Sequence, residues 1–228
     1  MTIKLVRTNE NGSGYQTPGG GTEHTHSFGA WKRTKEPTVF AAGQDTRTCA
    51  CGVSENRPVA KLVPFAQLNV SGTLPLKKGQ KTSAVRVSYA AGDSVKSVVS
   101  SNPKNVTASA DGDAITLKGD KTGASTVRVI LASGVSASFK VKVQKKEVKA
   151  KKIQVNTAKI TLKKGKTYSL AVTVVPITTK EKVKYQSSDK KIATVSGKGV
   201  IKAKKKGKAV ITVKCGKKSK KIKVIVEG

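Results

Sequence analysis

The sequence predicts an all-β protein with two tandem antiparallel β-sandwiches, preceded by a small N-terminal β-hairpin module. Two observations support this prediction. The tetrapeptide LKKG occurs at residues 76–79 and again at 162–165, and the sequence after each copy stays in step with only small slips. Within each copy, apolar residues alternate with Thr, Lys and Ser, and no stretch has a helical period.

Residues other than lysine show that the two copies are a duplication. Gly123 of the first copy corresponds to Gly207 of the second, and Ser101 corresponds to Ser188. The closing strands also match, because Phe139, Val141 and Val143 correspond in order to Ile222, Val224 and Val226. A lysine bias cannot place glycines, serines and valines in the same order. The spacing of 86 residues between the tetrapeptides matches a small domain in tandem.

Each copy divides into short strands. In the second copy three alternating apolar runs stand out: Leu170, Val172 and Val174; Ala209, Ile211, Val213 and Cys215; Ile222, Val224 and Val226. Turn residues separate such runs about every 8–12 residues, which is typical of an Ig-like sandwich. We therefore predict Ig-like domains at residues 63–146 and 147–228, the second rich in lysine. Cys215 continues an inward face and is expected to be an inert buried thiol.

Three stretches of the second copy carry a family resemblance: ITLKKGKTYSLAVTVVP, VKYQSSDKKIATVSGKGVIKAKKKGKAVITVK and KKIKVIV. With them, residues 152–227 resemble the bacterial Ig-like domain of group 2. Residues 65–144 resemble it more loosely, because SNPKNVTASADGDAITLKG stands where the family usually has a shorter turn. The resemblance implies a non-catalytic module of bacterial surface adhesins and bacteriophage virion proteins.

The charge is concentrated in the second copy. The chain has a formal net charge of +32, and residues 145–228 contain 26 lysines, no arginine and four acidic residues. Such a domain attracts polyanions, and three classes compete: nucleic acid, anionic cell-wall polymers or glycans, and an acidic protein assembly such as a capsid. A solubilising coat is the alternative explanation of the same lysines. The polyanion-binding candidates are Lys163, Lys164, Lys204, Lys205, Lys206, Lys208, Lys217, Lys218, Lys220 and Lys221.

Specific nucleic-acid binding is not expected from this composition. Base recognition uses the planar arginine fork, often with stacking aromatic rings, and this segment offers only Tyr168 and Tyr185 beside its lysines. No apolar run is long enough to insert into a membrane, and residues 1–22, an arm and flexible linker, contain no secretory signal. The expected location faces the exterior, on a bacterial cell surface or a phage virion.

Residues 23–62 form a separate small module. Its pattern consists of His24, His26, Trp31, Gly43, Cys49, Cys51, Gly52 and Glu55. This pattern is similar to a short cysteine-containing repeat of Gram-positive surface proteins. Two departures are the Cys-x-Cys pair, in place of Cys-x-x-Cys, and Val39 where the repeat often has another cysteine.

The histidines and two of the three cysteines of the chain lie in this module, and they suggest zinc. If both pairs lie on strands, His24 with His26 and Cys49 with Cys51 each point to one face and offer four ligands to a tetrahedral ion. The alternative is a three-stranded hairpin module that packs around Trp31 and Phe28 and carries two surface histidines and two unpaired thiols. A disulfide between the two cysteines is disfavoured, because it would be strained in extended backbone.

Catalysis is not expected. His24 and His26 are the only imidazoles, and the 13 carboxylates are scattered along the chain. The DGD sequence at residues 111–113 is expected to be a turn rather than a calcium site. The sequence therefore predicts a surface-display or adhesion protein, with a bacteriophage virion decoration or fibre protein as an alternative of nearly equal weight. Nonspecific nucleic-acid binding is the third alternative, and it explains the charge but neither the fold nor the missing arginine.

Overall fold

The computed structural model describes residues 25–228, and this part of the chain is all-β, as predicted. It contains 20 strands in three units, and none of it forms a helix that could cross a membrane. The arm and flexible linker expected at residues 1–22 lie outside the described residues, as do the first two residues of the predicted small module.

The first unit is a three-stranded antiparallel sheet. Its strands, in the order β1-β2-β3, are β1 (Lys32–Lys35), β2 (Gly43–Thr48) and β3 (Ser54–Val59). Pro37 and Cys49 are the buried apolar side chains of residues 25–62, so this unit has almost no hydrophobic core.

The second unit is a sandwich of two four-stranded sheets, ordered β4-β6-β9-β8 and β5-β11-β10-β7. Its strands are β4 (Ala66–Leu68), β5 (Thr73–Lys77), β6 (Lys81–Tyr89), β7 (Val95–Ser100), β8 (Val106–Asp111), β9 (Ala114–Gly119), β10 (Gly123–Leu131) and β11 (Ser136–Gln144). The inward residues are mainly valine, leucine and isoleucine. Gly112 has a φ of +56° in the β8–β9 turn, so the DGD sequence forms a turn as expected.

The third unit is a sandwich with the sheets β12-β15, β14-β18-β17 and β13-β20-β19-β16. Its strands are β12 (Lys152–Val155), β13 (Lys159–Lys163), β14 (Thr167–Ser169), β15 (Val172–Val175), β16 (Val183–Ser187), β17 (Ala193–Val195), β18 (Val200–Ala203), β19 (Gly207–Cys215) and β20 (Lys218–Glu227). The predicted inward residues, Cys215 among them, form its core.

The two sandwiches share one strand order once β14 and β15 are matched to the two halves of β6. Both are antiparallel except for one pair each, because β5 pairs in parallel with β11 and β13 with β20. The repeated LKKG sequence forms the same turn in both: Gly79 has a φ of +80° and Gly165 a φ of +84°. The Gly79 N–H donates to the Gly119 carbonyl at 2.7 Å, and the Gly165 N–H to the Ala203 carbonyl at 3.0 Å.

A second glycine pair is also equivalent in structure. Gly123 and Gly207 have φ values of +148° and +150° at the starts of β10 and β19. A Cβ at Gly123 would lie 2.5 Å from the Asn105 side chain, and one at Gly207 would lie 2.7 Å from the Ile192 side chain. Both the backbone angle and the close packing therefore require glycine at these two positions.

The two sandwiches are in contact through the segment after β15. The Thr178 hydroxyl donates to the Pro75 carbonyl at 2.6 Å, and the Gln80 amide donates to the Thr178 carbonyl at 2.6 Å. Lys77 also forms an ion pair with Glu147. The LKKG end of the first sandwich is thus in contact with the second, although Lys78 and Gly79 stay exposed.

Candidate functional site

The lysines of the second sandwich all lie at the surface. Every one of the 26 lysines in residues 145–228 is exposed. Among the described residues, Lys149 is the one of these 26 that lies in an ion pair, with Glu181 at 3.6 Å. On the outer face of the sheet containing β19, Lys184 lies opposite Lys214 and Lys159 opposite Lys223. Like charges directly opposite each other destabilise an antiparallel pair, so the facing of Lys184 and Lys214 does not stabilise the fold.

Six of the ten predicted polyanion-binding lysines converge at the end of the sandwich that lies away from the first sandwich. The β13–β14 turn meets the last residue of β20 there, because the Lys164 N–H donates to the Glu227 carbonyl at 3.1 Å. The β18–β19 turn joins them, with the Ala203 N–H donating to the Lys166 carbonyl at 3.0 Å. We call this group the distal lysine cluster: Lys163, Lys164, Lys204, Lys205, Lys206 and Lys208.

The other four lysines lie at the opposite end. We call them the hairpin lysine cluster: Lys217, Lys218, Lys220 and Lys221. They follow the β19–β20 turn, where Cys215 pairs with Lys218, whereas the distal end is marked by the pairing of Gly207 with Val226. Eight residues of strand separate these two pairs, which is about 27 Å. The ten predicted residues therefore form two separate surfaces.

At the same end of the first sandwich, an ion-paired acidic residue occupies the position of one lysine of the distal lysine cluster. Asp120 follows β9 there, and its carboxylate pairs with Lys118 at 2.8 Å. The equivalent residue after β18 is Lys204. Both residues donate their N–H to an equivalent carbonyl, Asp120 to Asn105 at 2.9 Å and Lys204 to Ile192 at 2.8 Å. An acid in one sandwich is thus replaced by a base in the other, on the same backbone.

The two tyrosines of the second sandwich are not surface platforms. Tyr168 and Tyr185 are half-buried and pack against the core. The Tyr168 hydroxyl accepts a hydrogen bond from the Asn156 amide at 2.8 Å, and burial raises the pKa of Tyr185. Neither ring is placed to stack on a base.

The β2–β3 connection positions both cysteines of the first unit. The Cys49 N–H donates to the Val53 carbonyl at 2.8 Å, and the Gly52 N–H donates to the Cys49 carbonyl at 2.9 Å. Gly52 has a φ of +89°, which closes a tight hairpin turn. Cys51 is within this turn, so the two cysteines do not both lie on a strand, which was the condition for their pointing to one face. The glycine after the second cysteine was the sequence signal for the turn.

His26 reaches the same turn from the segment before β1. Phe28 forms an isolated antiparallel bridge with Cys49, and the Gly29 N–H donates to the Thr48 carbonyl at 3.2 Å. This pairing places Nδ1 of His26 at 3.1 Å from Sγ of Cys51. The ligand atoms of His26, Cys49 and Cys51 all lie within 4.8 Å of one another. His24 lies outside the described residues, so its predicted role stays a prediction.

The environment of the three side chains differs from that of Cys215. The N–H of Cys51 hydrogen-bonds to the Cys49 sulfur, and together with the side chains of Cys51 and His26 it lowers the pKa of Cys49 to about 6. Cys49 is buried and Cys51 is exposed. Burial, with a smaller effect of Glu181, raises the pKa of Cys215, as expected for an inert thiol.

In the first unit, arginine side chains pack on the aromatic rings in place of an apolar core. The sequence analysis did not predict this role of the arginines. The Arg47 guanidinium carbon lies 4.8 Å from the Phe28 ring centre and 4.7 Å from the Trp31 ring centre. Arg57 covers Trp31 at 4.5 Å. Arg33 and Arg57 both hydrogen-bond the carboxylate of Asp45, and the bond from Arg33 is the main reason that the pKa of Asp45 is lowered.

Residues 149–226 match the model of the bacterial Ig-like domain (group 2), so the predicted resemblance of the second sandwich is confirmed. A curated relative, the kappa-carrageenase of Pseudoalteromonas carrageenovora, is 51% identical over 69 residues. The matched stretch is 30% of this chain and 17% of that protein, so this chain spans less than a fifth of its relative. The resemblances of residues 65–144 and of the His/Cys module stay predictions.

Solved structures with similar folds include S-layer and cadherin domains. Domains 4 and 5 of the S-layer protein SbsC are 23% identical, with a TM-score of 0.35 over 57% of this chain and 75% of that one. Drosophila N-cadherin EC1-3 is 7% identical, with a TM-score of 0.40 over 82% of this chain and 76% of that one. This similarity is too low to support a functional argument.

Proposed function

We propose that this protein is a non-catalytic surface-display or adhesion protein whose second sandwich contacts anionic polymers through the distal lysine cluster. The observation that supports it is the contrast between the two copies of one fold. In the first, the equivalent end carries the ion pairs of Lys77 with Glu147 and of Lys118 with Asp120, and it contacts the neighbouring sandwich. In the second, six exposed lysines occupy it, none of them in an ion pair with a described residue.

Electrostatics supports a binding role for the distal lysine cluster over a structural one. Mutual repulsion among neighbouring ammonium groups opposes compaction, so the cluster costs stability that the first sandwich retains. A linear polyanion relieves the repulsion by replacing the condensed counterions, and its affinity then falls steeply with salt. Lysine is a mobile point charge without the fixed geometry of arginine, so we expect little preference among polyanions.

Anionic glycans and cell-wall polymers are the partner class that best fits an exterior protein. The curated relative is named as a kappa-carrageenase, which makes the sulfated polysaccharide kappa-carrageenan a suitable probe. A bacterial cell surface and a virion exterior would both present this sandwich outward. The half-buried tyrosines and the absence of arginine from residues 145–228 argue against a base-reading protein.

The test uses the whole 228-residue chain and two variants of equal charge. In one, the six lysines of the distal lysine cluster become glutamine. In the matched control, six exposed lysines of the first sandwich become glutamine: Lys81, Lys96, Lys104, Lys121, Lys140 and Lys142. Binding to kappa-carrageenan is measured by calorimetry at several salt concentrations.

The distal variant is expected to lose most of the affinity and of its salt dependence, and the control only a small part. Equal losses in the two variants would show that the lysines act as a general coat. Tighter binding to duplex DNA than to the polysaccharide at the same salt concentration would contradict the proposed partner class.

A further inference from the structure

We propose that His26, Cys49 and Cys51 form a binding site for a thiophilic divalent metal ion, with zinc as the physiological ion. The ion would fasten the segment before β1 to the β2–β3 turn. This site shares no residue with the distal lysine cluster, so it stands independently of the proposed polymer contact.

The distances are close to those of a coordinated ion. Two sulfurs at about 2.3 Å from zinc in tetrahedral geometry lie about 3.8 Å apart, and a nitrogen and a sulfur lie about 3.6 Å apart. The three ligand atoms lie within 4.8 Å of one another, and Nδ1 of His26 is 3.1 Å from Sγ of Cys51. Shifts of about 1 Å or less therefore suffice to place all three around one ion.

The chemistry of the donors selects the class of ion. Two sulfurs and one imidazole suit zinc, cadmium or cobalt, whereas magnesium and calcium require oxygen ligands. Cys51 is exposed and His26 only half-buried, so an ion has a path into the site.

The unit that carries the site needs such a connection. Pro37 and Cys49 are its buried apolar side chains among the described residues, and a unit of this size rarely folds stably without a disulfide or a metal. The segment with His26 is attached to β2 by one bridge and one further backbone hydrogen bond. A metal bound to His26 and to both cysteines crosslinks these parts directly.

Three protein ligands leave one position of a tetrahedral ion for a fourth ligand. The sequence assigns that position to His24, and this assignment stays a prediction. The site as proposed requires only the three described side chains.

Cobalt titration of the reduced, metal-free full chain tests the proposal. One equivalent of Co²⁺ is expected to give a thiolate-to-cobalt charge-transfer band and the visible bands of tetrahedral cobalt, and one equivalent of Zn²⁺ to abolish them. Cys51→Ser is expected to weaken zinc binding by more than the roughly 100-fold that loss of a supporting residue costs. The matched control is Cys215→Ala, which removes the third thiol of the chain and leaves the bands unchanged.

Trp31 is the single tryptophan of the chain, so its fluorescence shows whether each variant keeps the first unit folded. Absence of the charge-transfer band in the reduced wild-type protein would overturn the proposal. So would a band that survives in a folded Cys51→Ser variant, or one that Cys215→Ala removes.

Discussion

A single substitution, Lys204→Asp, tests whether the distal lysine cluster acts as a unit. This turn of the fold accepts an aspartate, because Asp120 occupies the equivalent position in the first sandwich and forms the equivalent backbone hydrogen bond. In the first sandwich that aspartate pairs with Lys118 at 2.8 Å. We expect the introduced aspartate to pair in the same way with Lys202. The substitution therefore keeps the fold and changes the charge.

The expected change in the salt dependence of polymer binding follows from the number of lysines in the distal lysine cluster. If all six contact the polymer, the logarithm of the affinity should fall with the logarithm of salt with a slope of about −5, taking the coefficient of B-DNA as a guide. The aspartate removes one positive charge and adds a negative one, so the cluster falls from six charges to a net four. Between about 50 and 200 mM salt the loss of affinity should then shrink from about 10³-fold to about 150-fold.

The measurement is a salt series of kappa-carrageenan binding by calorimetry, with Lys121→Asp as the matched control. Lys121 is exposed in the first sandwich, and its substitution changes the net charge of the chain by the same amount. For the Lys121→Asp variant, the slope of log affinity against log salt should stay close to that of the wild type. The reasoning is refuted if the two variants have equal slopes, because the effect would then come from net charge alone.

Two further predictions concern the fold. Gly207→Ala should destabilise the second sandwich by about 1–3 kcal/mol in denaturant unfolding followed by circular dichroism, since its φ is +150° and the new Cβ would lie 2.7 Å from Ile192. Gly197→Ala, with no atom within 4 Å of the new Cβ, is the control, and equal effects would contradict the argument. Asp45 has a pKa below its ordinary value of 3.8, so its stabilising contribution is full above that pH and is lost as the pH falls through the folded pKa. Trp31 fluorescence of the metal-free chain should show this acid transition, and Asp45→Asn should reduce it while Glu36→Gln does not.

The sequence revealed the fold more fully than the site. Alternating apolar residues and the repeated LKKG turn were enough to predict the strands, because each depends on local periodicity and turn chemistry. The two-residue spacing of Cys49 and Cys51 fits a strand as well as a turn, and only the positive φ required at Gly52 separates them. Arg47 was overlooked because long-range contact with two rings leaves no local pattern.

The separation of the lysines into two clusters could have been anticipated in part. In a sandwich of antiparallel strands, successive turns alternate between opposite ends, so lysines at the β18–β19 and β19–β20 turns must lie far apart. The contact of Thr178 with Pro75 had no such signal. It joins residues about a hundred positions apart in two different sandwiches, and nothing local to either residue encodes it.

The parallel pairing of β13 with β20 has a mechanical consequence. The chain enters the second sandwich through β12 and reaches β13 next, so tension that passes β12 pulls β13 at its start and β20 at its end, in opposite directions along their length. The five residue pairs between them are then loaded together in shear rather than opened one after another. The β5–β11 pairing, also of five residue pairs, gives the first sandwich the same geometry. In each sandwich, five residue pairs of one parallel strand pair thus share such a load.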